Sequence, residues 1–199
     1  LEATKTRNFY LLFSIWFLNS SCYFMIMTQI VRHAIDLAIA PMQAASILSL
    51  IGVANIPGRL SMGILADRFG RKRVAVICAL LMAGAMLWLI GSSSLWMLYL
   101  FAIVFGFFNG GLSPATTALI GDIFGLRHIG AIFGELNIGW ASGAALSPAL
   151  AGHIFDTSGS YYLAFLLGMI ASLAVAVLIP FLRTPTAITN NLISKGELA

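Results

Sequence analysis

Apolar residues run along this chain in long blocks rather than in alternation. Six stretches, residues 9–31, 43–66, 74–91, 95–120, 129–151 and 161–182, are long enough to cross a bilayer as helices. A span of about 30 Å of hydrocarbon takes roughly 20 apolar residues. None of the six shows the two-residue alternation that a membrane β-barrel strand requires. The connections are short and polar, as in Gly91-Ser92-Ser93-Ser94 and Asp156-Thr157-Ser158-Gly159. The pattern predicts an all-α membrane protein with six transmembrane helices. An N-terminal segment occupies residues 1–8, the helical domain 9–182, and a polar, aperiodic tail expected to be disordered 183–199. The first apolar run is too long for a cleavable signal peptide and lacks a small-residue cleavage site. The opening residue, Leu1 rather than Met, leaves room for a longer parent chain.

Composition agrees with the pattern. The chain is 60% hydrophobic and only 9% charged, against about 25% charged in soluble domains. Its mean hydropathy is +0.96. So little charge would not cover a surface in water, so the solvent is lipid. The net charge of +4 is explained by where the cations fall. On one side of the helices lie Lys5, Arg7, Arg68, Arg71, Lys72, Arg73, Arg127, Arg183 and Lys195. On the other side lies Arg32, and Arg59 falls inside the second stretch. Since cytoplasmic loops carry the excess of Lys and Arg, both termini and the loop at Asp67 are expected to be cytoplasmic. No nucleic-acid partner is needed to account for the charge. Cys22 and Cys78 sit within apolar stretches as small hydrophobes. No metal-ligand spacing and no phosphate-binding loop occurs, so neither metal nor cofactor is expected.

Polar residues inside the stretches carry the candidate chemistry. Arg59 stands about two turns above the cytoplasmic loop, where a charge costs roughly 2.5–3.5 kcal/mol and usually faces a cavity or a partner. Snorkelling to the inner interface is the alternative. Asn55, four residues earlier, projects from the same helix face. Asp36 lies at the outer end of the first stretch, as a solvated loop carboxylate or a functional one. Glu135 and Asn137 enter the fifth stretch from the cytoplasmic side. Glu135 is expected to partner the basic loop, which also has Asp122 and Arg127 nearby, and for Asn137 an interhelical hydrogen bond is an equal alternative. His153 and Asp156 read as turn residues. Glycines recur at four-residue spacing (106/110, 121/125, 130/134 and 139/143), which permits close helix approach in lipid. Pro57, Pro114 and Pro148 interrupt three stretches and free backbone carbonyls that neighbours must satisfy. Pro41 suits the first turn of a helix. No lysine lies in any stretch, so the buried cation is single, suiting one carboxylate better than a dianion.

The loop Gly63-Ile64-Leu65-Ala66-Asp67-Arg68-Phe69-Gly70-Arg71-Lys72-Arg73 resembles the repeated cytoplasmic signature of the major facilitator superfamily of transporters. Residues 29–36 together with 55–63 resemble helices seven and eight of its monocarboxylate and oxalate:formate branch. Residues 152–161 resemble the joint between helices eleven and twelve. The likeness covers residues 7–183. It implies a transporter rather than an enzyme, with the six stretches forming helices seven to twelve, one half of a twelve-helix bundle. Its partners would be a small carboxylate, protons, the lipid bilayer, and an N-terminal six-helix half or a second copy. By this resemblance Arg59 engages the substrate carboxylate, with Asn55 beside it. Asp36 matches an acid tied to proton coupling in bacterial members, which implies a multi-pass protein of a bacterial inner membrane. The animal members' aspartate four residues before the arginine is here Asn55, which leaves Asp36 as the coupling candidate. Gly63, Asp67, Arg68, Gly70, Arg71, Asp122 and Arg127 would control conformation. The helix-eleven lysine associated with oxalate exchange has no counterpart, which disfavours dicarboxylate exchange.

The mechanism expected from these residues is proton symport or anion exchange by alternating access. Ionised Asp36 would compete with substrate for Arg59, provided the two approach. A transporter of a different small solute remains an alternative. A six-span protease would need an activated serine in a Gly-x-Ser-Gly setting, and Gly111-Leu112-Ser113-Pro114 matches only in part. The paired Asn-Pro-Ala turns of a water channel are missing, since Asn55-Ile56-Pro57 is not one.

Overall fold

A computed structural model describes residues 6–125 and 129–183. Within them the regular structure is entirely helical: α1 (Arg7–Asp36), α2 (Pro41–Phe69), α3 (Arg71–Ile90), α4 (Leu95–Phe124), α5 (Ile129–Ser158) and α6 (Tyr162–Leu178), with a 3-10 turn over Ile179–Phe181. Five helices are long and apolar enough to cross a membrane: α1 to α4, and α6 with its 3-10 turn. The sixth expected span, α5, matches the longest at 30 residues but falls short in hydropathy. Glu135, Asn137 and its many Gly and Ser residues dilute its apolar content.

Helices overrun the apolar stretches because backbone hydrogen bonding continues into polar flanks. Thus α1 extends to Asp36, and α5 extends through His153 and Asp156 to Ser158. The latter two are therefore helical, not turn residues. Pro41 occupies the first turn of α2, where its missing N–H costs nothing. Gly70 joins α2 to α3 in a single residue with φ +98°, a conformation that glycine adopts without strain. Pro57, Pro114 and Pro148 all lie inside continuous helices. Around Pro114 the hydroxyls of Thr116 and Thr117 donate to the carbonyls of Leu112 and Ser113, at 2.9 Å each.

Two intimate helix pairs organise the bundle, α2 with α4 and α1 with α5, while α3 and α6 pack behind them. Glycines set the first pair. A Cβ at Gly58 would fall 2.0 Å from the Phe107 carbonyl oxygen, and one at Gly110 would fall 2.3 Å from that of Asn55. In the second pair a Cβ at Gly143 would stand 2.5 Å from the Phe17 carbonyl oxygen. The four-residue spacing thus works at 106/110 and 139/143. It does not at Gly130 and Gly134, where a Cβ would meet nothing within 4 Å. The core between the pairs and the backing helices includes Leu12, Ile26, Met82, Met86, Phe101 and Phe105, all essentially inaccessible.

Candidate substrate site

A cavity of about 370 Å³ opens between the two helix pairs, and its walls differ chemically. On the α2/α4 side stand Asn55, Arg59, Asn109, Ser113, Thr116 and Thr117. On the α1/α5 side stand Trp16, Tyr23, Phe133 and Trp140, with Asn19 and Asn137 among them. The aromatics brace one another: Trp16 lies edge-on to Phe133 at 5.1 Å and to Trp140 at 6.2 Å, and Tyr23 lies 6.5 Å from Trp140. Helix periodicity explains the polar wall. Asn55 and Arg59 are one turn apart on α2, as are Asn109 and Ser113 on α4, and the Gly110–Asn55 contact holds the two rows at the same depth.

Arg59 is the charged group of this cavity. It also lines a second, larger space of about 730 Å³ that continues past Ser113 and Thr117 towards Arg71 and Asp122. Among the described residues the ion pairs are Arg71–Asp67 at 3.2 Å and Arg71–Asp122 at 2.5 Å; none involves Arg59. A guanidinium without a carboxylate partner, between apolar helices, is a ready counter-charge for an anion. Its fork matches a carboxylate with two parallel hydrogen bonds.

Asp36 lies elsewhere. It closes the C-terminal end of α1, 13 residues beyond Tyr23 and so about 20 Å along the axis from the cavity. The Tyr161 hydroxyl donates to its Oδ2 at 3.0 Å. Phe155 stacks on Tyr161 at 4.4 Å and His33 meets its ring edge-on at 5.4 Å. Tyr161 is pushed up to about 12, by burial first and then by its hydrogen bond to Asp36 and that carboxylate's charge. It therefore stays a donor throughout the physiological range. The structure does not bring Asp36 and Arg59 together, so direct competition between them has no geometric basis here.

At the end of the bundle away from Asp36, Arg71 gathers Asp67, Asp122 and the Ala118 carbonyl, the last at 3.3 Å. Gly70 is the turn that presents it. Gly63 has open space at its Cβ position, and Arg68 is exposed. Arg127 lies outside the described residues. Glu135 meets no residue of the basic loop among the described residues: its Oε2 is buried with no hydrogen-bond partner there, and Arg71 is met by Asp67 and Asp122 instead. Asn137 donates to the Phe133 carbonyl of its own helix at 2.8 Å rather than across helices. Asn19, Asn109 and the aromatic wall were missed from sequence. Asn19 and Asn109 carry the same signal as Arg59, a costly polar side chain within an apolar run, while the Trp and Tyr residues carry none.

Residues 9–197 match the profile of the Major Facilitator Superfamily. The chain belongs to that family. Human monocarboxylate transporter 12 is 31% identical over 158 residues, which is 77% of this chain and 31% of the human protein. The uncharacterized MFS-type transporter YhjX of Escherichia coli is 31% identical over 108 residues, or 51% of this chain and 25% of its own. Among solved structures, the E. coli fucose:proton symporter superposes with a TM-score of 0.78 at 16% identity, covering 91% of this chain and 44% of the symporter. A peptide transporter bound to alafosfalin gives 0.77 at 19% identity, covering 96% and 44%. These last likenesses concern the fold. The chain spans about a third of the length of the curated relatives it matches first. As a superfamily member it is an integral, multi-pass membrane protein related to transporters, not to enzymes.

Proposed function

We propose that this chain is the C-terminal six-helix half of a transporter that moves a small carboxylate, with Arg59 as the group that binds the carboxylate and Asn55 beside it. The observation that carries this reading is Arg59 itself, a cation in an apolar helix that lines the cavity with no acid paired to it among the described residues. The likeness to monocarboxylate transporter 12 supports the substrate class. In this reading α5 also spans the membrane, its polar face turned to the cavity rather than to lipid. Both termini are cytoplasmic, in keeping with the distribution of Lys and Arg, and the membrane is a bacterial inner membrane.

Alternating access follows from rocking of this bundle against an N-terminal six-helix half, or a second copy, around the cavity. Gly63, Asp67, Arg68, Gly70, Arg71, Asp122 and Arg127 form the cytoplasmic latch. Asp36 couples protons through Tyr161: protonation weakens the acceptor that ties α1 to the start of α6. Symport and exchange share the same site and differ in which ligand lets the empty carrier reorient.

Uptake of labelled formate, acetate, lactate, pyruvate and oxalate by cells making the complete protein tests this, with and without an inward proton gradient. Arg59→Gln is expected to lose at least tenfold of monocarboxylate uptake at matched surface expression. Arg59→Lys should recover only part, because an ammonium offers a point charge and no fork. Equal uptake by Arg59→Gln and the parent would defeat the assignment.

A further inference from the structure

Arg7, Lys72, Arg73 and Arg183 meet at one corner of the bundle, at the end away from Asp36. The Asn8 side-chain nitrogen donates to the Arg183 carbonyl at 2.8 Å, and the Arg183 backbone N–H donates to Asn8 Oδ1 at 3.0 Å. The Lys72 ammonium donates to the Leu182 carbonyl. These three bonds hold the start of α1, the start of α3 and the chain just after the 3-10 turn against one another. Arg7, Arg73 and Arg183 are exposed, and Lys72 is partly buried. Among the described residues none of these cations takes part in an ion pair, because Asp67 and Asp122 are both held by Arg71. The surface beside this corner is apolar. Ile77 and Leu80 on α3, with Val177 on α6 and Phe181 in the turn, are all about half exposed. Ile77 stands one helical turn from Arg73, and Phe181 two residues from Arg183, so exposed apolar surface begins where the cations end.

We propose that this corner binds the headgroup phosphate of an anionic phospholipid, whose acyl chains lie along α3 and α6. Both parts of such a lipid find their match. Guanidinium groups meet phosphate oxygens with forked, charge-assisted hydrogen bonds, and basic clusters at the ends of membrane helices attract anionic headgroups. The exposed side chains of α3 and α6 take the chains, on the face behind the helix pairs and away from the cavity. A zwitterionic lipid carries its own cation beside the phosphate, which the uncompensated arginines repel. A free phosphate brings the anion and nothing for the apolar surface. Lys72 and Arg73 directly follow Arg71, so the bound lipid steadies the start of α3 beside the ion pairs of Arg71. The site is separate from the cavity and does not depend on the carboxylate reading.

The test is native mass spectrometry of the purified complete protein in detergent, with phosphatidylglycerol, phosphatidylcholine and inorganic phosphate titrated separately. Phosphatidylglycerol should bind saturably and more tightly than phosphatidylcholine, and inorganic phosphate should not be retained. Arg73→Gln combined with Arg183→Gln should weaken phosphatidylglycerol binding by about fivefold for each cation removed. Arg32→Gln combined with Arg68→Gln removes the same charge away from the corner and should leave that binding within about twofold, since distant charges are screened. The mutated side chains are exposed, so both double variants should melt with the parent when no lipid is added. Equal binding of the two lipids by the parent overturns the proposal without recourse to any variant. Equal weakening in both double variants overturns it as well, because it would show a response to net charge and not to a site. Inorganic phosphate bound as tightly as phosphatidylglycerol would make the corner a site for a free anion and likewise overturn it.

Discussion

At the scale of single residues, the polar groups within the helices divide into those with partners and those without. Arg59 has none among the described residues and opens onto both cavities, whereas Arg71 is held by two acids and a carbonyl. Two arginines 12 residues apart thus have opposite characters, one presented to a ligand and one locked to the protein. Glycines divide in the same way. Gly110→Ala would drive a methyl to 2.3 Å from a backbone oxygen and should destabilise the folded protein by about 1–3 kcal/mol. Gly84→Ala meets nothing within 4 Å on α3 and should stabilise by about 0.5–1 kcal/mol through lower backbone entropy in the unfolded chain. A thermal melt of the purified protein followed by fluorescence size-exclusion separates the two. Arg59 was legible from sequence because a charge in an apolar run stands out against its neighbours. Asn109 was equally legible by that rule, but its place on the cavity wall is a property of the fold. Among the described residues neither Glu135 nor Asn137 pairs across helices, because proximity in sequence to a basic loop does not say which way a helix turns its face.

At the scale of elements, helix existence and order follow directly from the apolar blocks. Their ends do not, since hydrogen bonding runs on through polar flanks until a glycine such as Gly70 or Gly125 takes a positive φ. The α5 helix departs most from expectation because its polar and small residues serve a cavity and a tight partner instead of lipid. The outer end of α1 is the other departure. Asp36 meets Tyr161 and not Arg59, so any proton effect at Asp36 must act on how α1, α5 and α6 are tied together. Tyr161→Phe removes the donor and leaves the stacking on Phe155. It should flatten the pH dependence of uptake as Asp36→Asn does, with KM for the carboxylate changed less than twofold. A pH series of initial uptake rates for the two variants reads this. A loss of carboxylate affinity in Tyr161→Phe as large as in Arg59→Gln would contradict the separation of the two sites.

At the scale of the whole molecule, two glycine-packed helix pairs flank the cavity, backed by α3 and α6, with clusters at both ends. The cluster around Arg71 is partly exposed: the Asp67 side chain is 70% accessible, Asp122 40% and Arg71 34%. Such ion pairs contribute about 0–1 kcal/mol, too little to matter for folding but enough to move a conformational equilibrium several-fold. Asp122→Asn should therefore leave the melting temperature within a few degrees. It should also increase labelling of a cysteine introduced at the cytoplasmic mouth of the cavity. An unchanged labelling rate would remove Asp122 from the latch.

The central claim is that Arg59 holds a carboxylate between the polar and aromatic walls, and Trp16 and Trp140 are placed to report it. The most direct measurement is quenching of tryptophan fluorescence by a titrated monocarboxylate in the purified complete protein, for the parent and for Arg59→Gln. Saturable quenching in the parent that weakens at least tenfold in the variant is the predicted result. Saturation at the same concentration in both would show that the anion binds without Arg59, and the account would be wrong at its centre.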